Sequence, residues 1–147
     1  MTWLRLFAIA AAVLAWRPAA AAGCRCADIN PQEGFDRAQY VFTGTVAAAE
    51  RHTWVVEPDR IWKGSLPRSV RLMDVYAAIN CEFFFQRGGR YLFFAIRAKS
   101  GRHVFYHPQV CNLTSPVQSR RIATADGKSL WLEELIAKEH GPGESPE

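Results

Sequence analysis

Five short β-rich runs, a helical pattern behind them and an even set of four cysteines predict a mainly β domain stapled by disulfides. The expected architecture is a small closed five-stranded barrel of the OB-fold type with one or two C-terminal helices, spanning residues 24–140. A β-sandwich is the alternative that the same runs would fit.

The first run is Tyr40-Val41-Phe42-Thr43-Gly44-Thr45-Val46. Its β-branched and aromatic residues suit a pleated, half-buried strand, and the glycine inside it marks the bend or bulge with which a small barrel turns a corner. Thr53-Trp54-Val55-Val56-Glu57 and Asp59-Arg60-Ile61-Trp62 form a second run, ended by Lys63-Gly64. From Ser69 to Val75 the chain alternates: Val70, Leu72 and, more weakly, Asp74 lie on one side, and Arg71, Met73 and Val75 on the other. Arg87-Gly88-Gly89 is a tight turn into the most apolar run, Tyr91-Leu92-Phe93-Phe94-Ala95-Ile96, the expected central strand. Ser100-Gly101 turns the chain into the last run, His103 to His107. The aromatic side chains Phe42, Trp54, Trp62, Phe83, Phe84, Phe85, Phe93 and Phe94 are expected to fill the barrel.

Helical signals flank these runs. Asp28 to Gln39 is polar, contains Asn30-Pro31 and Gly34, and reads as a turn followed by one helical turn. After Cys111, Ser115-Pro116 with Gln118 fits a capped helix start. Leu130, Trp131, Leu132, Leu135 and Ile136 recur at helical spacing until Gly141 stops the run. Residues 141–147 are rich in Gly, Pro and Ser and are expected to form a disordered tail.

The first 23 residues follow a separate logic. Arg5 gives a basic start, Leu6 to Trp16 is apolar but too short to span a bilayer, and small residues from Ala19 to Gly23 follow Arg17-Pro18. Residues 1–23 therefore read as a signal peptide, and the mature chain as a secreted or periplasmic protein with no stable membrane span. Removing Arg5 and Arg17 from 18 basic residues leaves 16 against 14 acidic ones, a formal charge of +2. A nearly neutral surface argues against nucleic acid as a partner.

All four cysteines, Cys24, Cys26, Cys81 and Cys111, lie in the mature part. In a small exported domain they read as two disulfides. One zinc ion is the competing use, but the close pair here is C-x-C and not the C-x2-C usual at zinc. A direct Cys24–Cys26 bridge would be strained. Cleavage can fall after Ala22 or after Gly23, and a lipid anchor on the Cys24 sulfur is the third processing outcome. Lipidation would leave an odd number of thiols, and parity weighs against it.

Enzyme chemistry finds little support. Neither thiol of the C-x-C pair stands at a helix start or beside a basic neighbour other than Arg25. His103 and His107, four apart on a strand, are separated by about 13 Å and cannot share an ion; they read as partly exposed strand residues. Glu133-Glu134 is a solvated helix face. Asn112-Leu113-Thr114 is a glycosylation sequon that matters only in a eukaryotic secretory pathway. No cofactor and no metal of its own are expected, and the chain is expected to be a monomer.

One resemblance joins these pieces. A Cys-x-Cys start, then Val41-Phe42-Thr43-Gly44-Thr45-Val46, Ile61-Trp62-Lys63-Gly64, Cys81, Gly89-Arg90-Tyr91-Leu92-Phe93-Phe94-Ala95 and Cys111 follow the order of the tissue inhibitors of metalloproteinases (TIMP) and the wider netrin-like domains. The chain resembles their short bacterial relatives, from about Cys24 to Leu113. The resemblance implies a five-stranded barrel and the pairs Cys24–Cys81 and Cys26–Cys111. It also implies a metalloprotease inhibitor in which the α-amine and carbonyl oxygen of Cys24 together chelate the protease's zinc, with zinc metalloproteases as partners. The side chain of Arg25 would then enter the protease pocket beside the zinc. The animal inhibitors carry a small hydroxyl residue there, and Ala27-Asp28 replaces their proline-containing start. A guanidinium in an apolar pocket is costly unless a carboxylate meets it, so the expected target has an acid at the base of its pocket. The alternative reading is a non-inhibitory netrin-like binding module of the cell envelope.

Overall fold

The computed structural model describes residues 24–75 and 81–147; the leader expected at 1–23 lies outside the described residues. Helix α1 (Pro31–Arg37) precedes strands β1 (Tyr40–Glu50), β2 (Thr53–Lys63), β3 (Val70–Met73), β4 (Arg90–Ser100) and β5 (His103–Pro108). Short strands β6 (Ser115–Pro116), β7 (Arg121–Ala123) and β8 (Ser129–Trp131) lead into helix α2 (Leu132–His140). No helix among the described residues is long and apolar enough to cross a membrane.

The five long runs close on themselves. β1 pairs with β2, β2 with β3, β5 with β4 and β4 with β1, all antiparallel, and β3 meets β5 in parallel where Leu72 faces Tyr106. One ring-closed sheet in this order is OB-fold-like and excludes the sandwich. The bend expected at Gly44 is present as a register shift between Thr43 and Gly44. A Cβ at Gly44 would lie 2.7 Å from Val56 Cγ1 and 2.8 Å from the Glu57 carbonyl, so only glycine lets β1 and β2 approach here.

Two cores follow from the strand period. The ring interior takes residues from all five strands, among them Phe42, Trp54, Ile61, Leu72, Phe93 and Tyr106. The opposite face of β1 and β4 supplies Val41, Leu92 and Phe94 to a second core beneath the helices, completed by Phe35, Leu113, Leu132 and Ile136. Both faces of β4 are therefore buried, which explains its unbroken apolar run. Phe42, Phe93 and Phe94 are fully enclosed, and burying a side chain of this size stabilises by about 1.5–3 kcal/mol.

The helices are set by local chemistry. The Asn30 side chain accepts from the Glu33 amide at 2.8 Å and Pro31 occupies the first helical position, so α1 runs two turns rather than one. Its last carbonyls are met by Lys63, whose Nζ donates to the oxygens of Phe35 at 2.8 Å and Asp36 at 3.2 Å. Trp62 Nε1 donates to the Gly141 carbonyl at 2.9 Å. Gly64, at φ +81°, packs against the Tyr40 ring, which any Cβ would strike. Trp62-Lys63-Gly64 thus joins β2 to α1, to the end of α2 and to the start of β1.

Several expectations are corrected. Ser115-Pro116 does not start a helix: Ser115 pairs with Leu92 and Pro116 with Tyr91, and the Val117 amide donates to the Arg90 carbonyl. A free β4 edge outweighs the local capping pattern. Residues 141–147 are not a free tail, because Glu144 exchanges both backbone hydrogen bonds with Ile61, at 2.8 and 2.7 Å, on the edge of β2. His107 is buried, whereas His103 is exposed. Phe84 does not join the core and is 82% exposed, while Trp62 and Phe94 pack in the second core and not inside the ring. Glu133 is not part of a solvated face, because its side chain is only 15% exposed and pairs with Arg90.

A polar network fastens α2 to the ring. Arg90 Nε donates to Asp59 Oδ2 at 2.7 Å, and its Nη2 donates to Asp59 Oδ1 at 3.1 Å, to Thr43 Oγ1 at 3.1 Å and to Glu133 Oε1 at 3.0 Å. The Thr43 hydroxyl donates to Asp59. One guanidinium therefore links β1, β2, β4 and α2. Burial raises the Asp59 pKa, but the hydrogen bonds from Arg90 and Thr43 outweigh it and hold the carboxyl below its usual range. Burial depresses the His107 pKa, partly offset by a backbone hydrogen bond at Pro108.

Both shifts have the same sign for stability. Each folded-state pKa lies below its unfolded value, so the native state loses stability as pH falls. The loss from His107 begins below about 6.5 and that from Asp59 below about 3.9. Arg90 and Asp59 are each more than a third exposed, and solvent screening limits what their pair contributes. Arg90→Leu is expected to destabilise by about 1–2 kcal/mol at neutral pH. The gap to the wild type should narrow as pH falls below the usual carboxylate range and Asp59 becomes protonated in the folded wild type. Urea unfolding over a pH series checks this; a gap that does not change with pH would disprove the Asp59 linkage.

Candidate functional site: the cross-linked N-terminal edge

Residues 24–30 form an extended arm without regular structure, and Cys24 to Asp28 are exposed. Two cross-links hold it. Cys24 is bonded to Cys81, with Cα atoms 5.4 Å apart, and Cys26 to Cys111, with Cα atoms 5.1 Å apart. The bonds close separations of 57 and 85 residues, each worth about 4 kcal/mol in the chain-entropy account of the unfolded state. No free cysteine remains among the described residues, so no thiolate set for zinc is left. Arg25 lies between the two anchored residues with its side chain exposed. Two disulfides in a domain of this size belong to an oxidising, extracytoplasmic compartment.

Each anchor is itself fixed. On the β3–β4 connection, Cys81, Phe83 and Phe85 turn inward while Glu82 and Phe84 turn outward, a strand-like period without a ladder. Phe83 stacks on Phe85 at 5.5 Å between centroids, and Phe85 meets Trp54, Tyr91 and Phe93 edge-on within 4.9–5.2 Å. Asp74, buried at the end of β3, accepts the Phe83 amide on Oδ2 at 2.8 Å, while its own amide donates to the His52 carbonyl at 2.8 Å. Asp74 thereby ties the Cys81 segment to the ring.

The other anchor, Cys111, has φ +60°, a conformation that costs a non-glycine residue about 1 kcal/mol or more. Its neighbour holds it there. Asn112 Nδ2 donates to the Gly34 carbonyl at 3.2 Å and to Gln109 Oε1 at 2.9 Å, and Leu113 is buried. Gly34 is needed for this contact, since a Cβ there would lie 2.7 Å from Leu113 Cδ1. The sequon Asn112-Leu113-Thr114 is thus a structural joint: Thr114 Oγ1 accepts from the Phe94 amide at 2.9 Å.

Between the arm and these anchors lies an open groove of about 460 Å³, lined by Cys24, Cys81, Glu82, Phe83, Phe84, Val110 and Cys111. It brings together Cys24 and two residues that sequence reasoning did not single out as site residues, Glu82 and the exposed Phe84. The histidines considered as ligands do not gather here, and no three His, Cys, Asp or Glu side chains converge as a metal site among the described residues. The arrangement offers a rigid backbone edge with an exposed cation and an exposed aromatic beside it.

No protein-family model matches this chain, and no curated protein matches its sequence.

Asp74→Ala should release the Phe83 amide, destabilise the domain by about 1–3 kcal/mol, and speed hydrogen exchange at Phe83 and its neighbours. Asp74→Asn keeps an acceptor and should keep most of the protection. Unchanged exchange at Phe83 in the alanine variant would remove Asp74 from this role.

Proposed function

We propose that the chain is an exported TIMP-like domain, secreted or periplasmic, that inhibits a zinc metallo-endopeptidase through its N-terminal edge. The observation that carries this reading is the double cross-link at Cys24 and Cys26, which supports a fixed, exposed terminus beside Phe84. Cleavage immediately before Cys24 frees an α-amine next to the Cys24 carbonyl, two donors that fit the open position of a catalytic zinc. An α-amine with a reference pKa near 8 loses its proton at little cost. Because the disulfides already hold the arm, little freedom is lost on binding.

Arg25 sets the specificity in this reading. Its guanidinium stands where the inhibitor family places the residue that enters the protease pocket, and it selects a pocket with a carboxylate at its base. Phe84 and Glu82 extend the contact on the far side of the Cys24–Cys81 bond. The chain acts as a monomer, needs no cofactor and is not an enzyme. The second reading, a non-inhibitory netrin-like module, uses the same exposed Phe84 without a free terminus.

N-terminal mapping of the exported protein, combined with inhibition assays on a panel of zinc endopeptidases, tests this. The expected mature terminus is Cys24. One alanine inserted before Cys24 should raise the inhibition constant about 100-fold or more, the scale of losing a positioned metal chelate, with the thermal midpoint unchanged. A Gly23 terminus, a blocked Cys24, or equal inhibition by the extended chain would refute the clamp and leave the binding module.

A further inference from the structure

The hairpin of β7 and β8 leaves one main-chain edge open. The Leu132 amide donates to the Arg120 carbonyl and the Thr124 amide to the Lys128 carbonyl, both at 2.9 Å. Between these bonds the antiparallel ladder alternates. Ile122 is therefore the bonded partner of Leu130, while Arg121 and Ala123 turn their N–H and C=O groups away from β8. No backbone hydrogen bond among the described residues engages those groups. Beside Ala123 lies a recess of about 550 Å³ that reaches Pro31 at the start of α1 and Leu135 on α2. It shares no lining residue with the Cys24 groove. Ile122 lines this recess too and packs against the second core. A residue paired opposite Ile122 would share its face and enter the recess.

The edge is charged at one end only. Arg120 is exposed and forms no ion pair among the described residues. The carboxylates just beyond Leu132 are committed: Glu133 pairs with Arg90 at 3.0 Å, and Glu134 Oε2 accepts the Trp131 amide at 2.9 Å. On the other side, the chain carries no acid from Phe83 to Ala125. At the turn end Asp126 pairs with Lys128 at 3.4 Å, and Lys138 lines the recess next to Glu139, so that end is balanced.

We propose that the open edge of β7 docks an extended peptide segment of a partner protein, added as an antiparallel strand with an apolar residue opposite Ile122 and an acid opposite Arg120. Main-chain bonds to Arg121 and Ala123 supply the grip, and the recess and Arg120 supply the selectivity. An antiparallel strand is the more stable pairing per residue, and it makes the recognised order apolar, any residue, acid. A second copy paired about Ile122 would set Thr124, not an acid, against Arg120. Docking here would leave the Cys24 edge free.

The test is an NMR titration of the isotopically labelled mature chain with the acetylated, amidated peptide Thr-Thr-Val-Thr-Glu. Saturable shifts are expected at the amides of Arg121, Ile122 and Ala123. Ala123→Pro removes an outward amide without breaking a bond inside the hairpin, and should weaken binding roughly tenfold. Arg120→Glu should weaken it about threefold, the scale of one exposed ion pair, and a peptide ending in Lys should recover the loss. The order-reversed peptide Glu-Thr-Val-Thr-Thr should bind more weakly than the original. Thermal midpoints confirm that each variant folds, and the charge exchange tests the edge independently of the proline. Five results would overturn the proposal. They are no saturable shift, undiminished affinity after Ala123→Pro, no recovery with the Lys peptide, equal binding of the reversed peptide, or a dimer in sedimentation that Ala123→Pro dissolves, which would assign the edge to a second copy.

Discussion

The pairing of β1 with β4 is the constraint on which the remaining architecture depends. Six consecutive partners, from Tyr40 with Ala95 to Thr45 with Arg90, close the ring. The same two strands also carry the second core on their outer face. Without that contact the inner aromatics would line an open sheet, and α1 and α2 would have no surface to cover. These are contacts between residues some 50 positions apart, so they form against a substantial loop-closure entropy. The two disulfides act on the same problem from the unfolded side by bringing distant segments together in advance.

The motif residues divide into those that build and those that present. Gly44, Trp62, Lys63, Gly64 and Arg90 each have a mechanical task inside the domain: a close approach of strands, a hydrogen bond to a helix end, a cap on carbonyls, a left-handed turn, a bridge between two carboxylates. They could be shared by any domain of this architecture, whatever it binds. Little of the recognisable pattern is therefore evidence about activity. Arg25, Glu82 and Phe84 on the cross-linked edge are exposed instead, and their side chains carry few structural duties.

Much of the fold was legible in the sequence because strand period and turn residues act locally. The alternation Val70, Leu72, Asp74 already placed Asp74 on the inner side, and the structure finds it there accepting a loop amide. An acid in phase with two aliphatic residues was the available signal for a buried anchor. Phe84 was harder to place, since three consecutive phenylalanines look uniformly apolar. Only the inward turn of Phe83 and Phe85 leaves the middle one outside. Ser115-Pro116 misled for a related reason: a capping pattern is a local preference, and an unpaired stretch of β4 some 20 residues earlier supplied a stronger partner. The cysteine partners could not be read from spacing: of the three pairings of four cysteines, strain disfavours only the one that joins Cys24 to Cys26, and two remain. They followed only from the family resemblance.

The closing segment of the chain has a consequence for solubility. β2 is flanked by β3 only from Thr53 to Val56, and beyond that its outer edge faces away from the ring. The two hydrogen bonds between Ile61 and Glu144 occupy part of that edge. Unsatisfied strand edges template pairing with other chains, and here the occupant is a Gly- and Pro-rich segment that cannot itself extend into a regular strand. The last residues thus act as a plug of low β-propensity. A chain shortened at Gly141 would offer the amide and carbonyl of Ile61, next to an apolar interior, to whichever extended peptide arrived first.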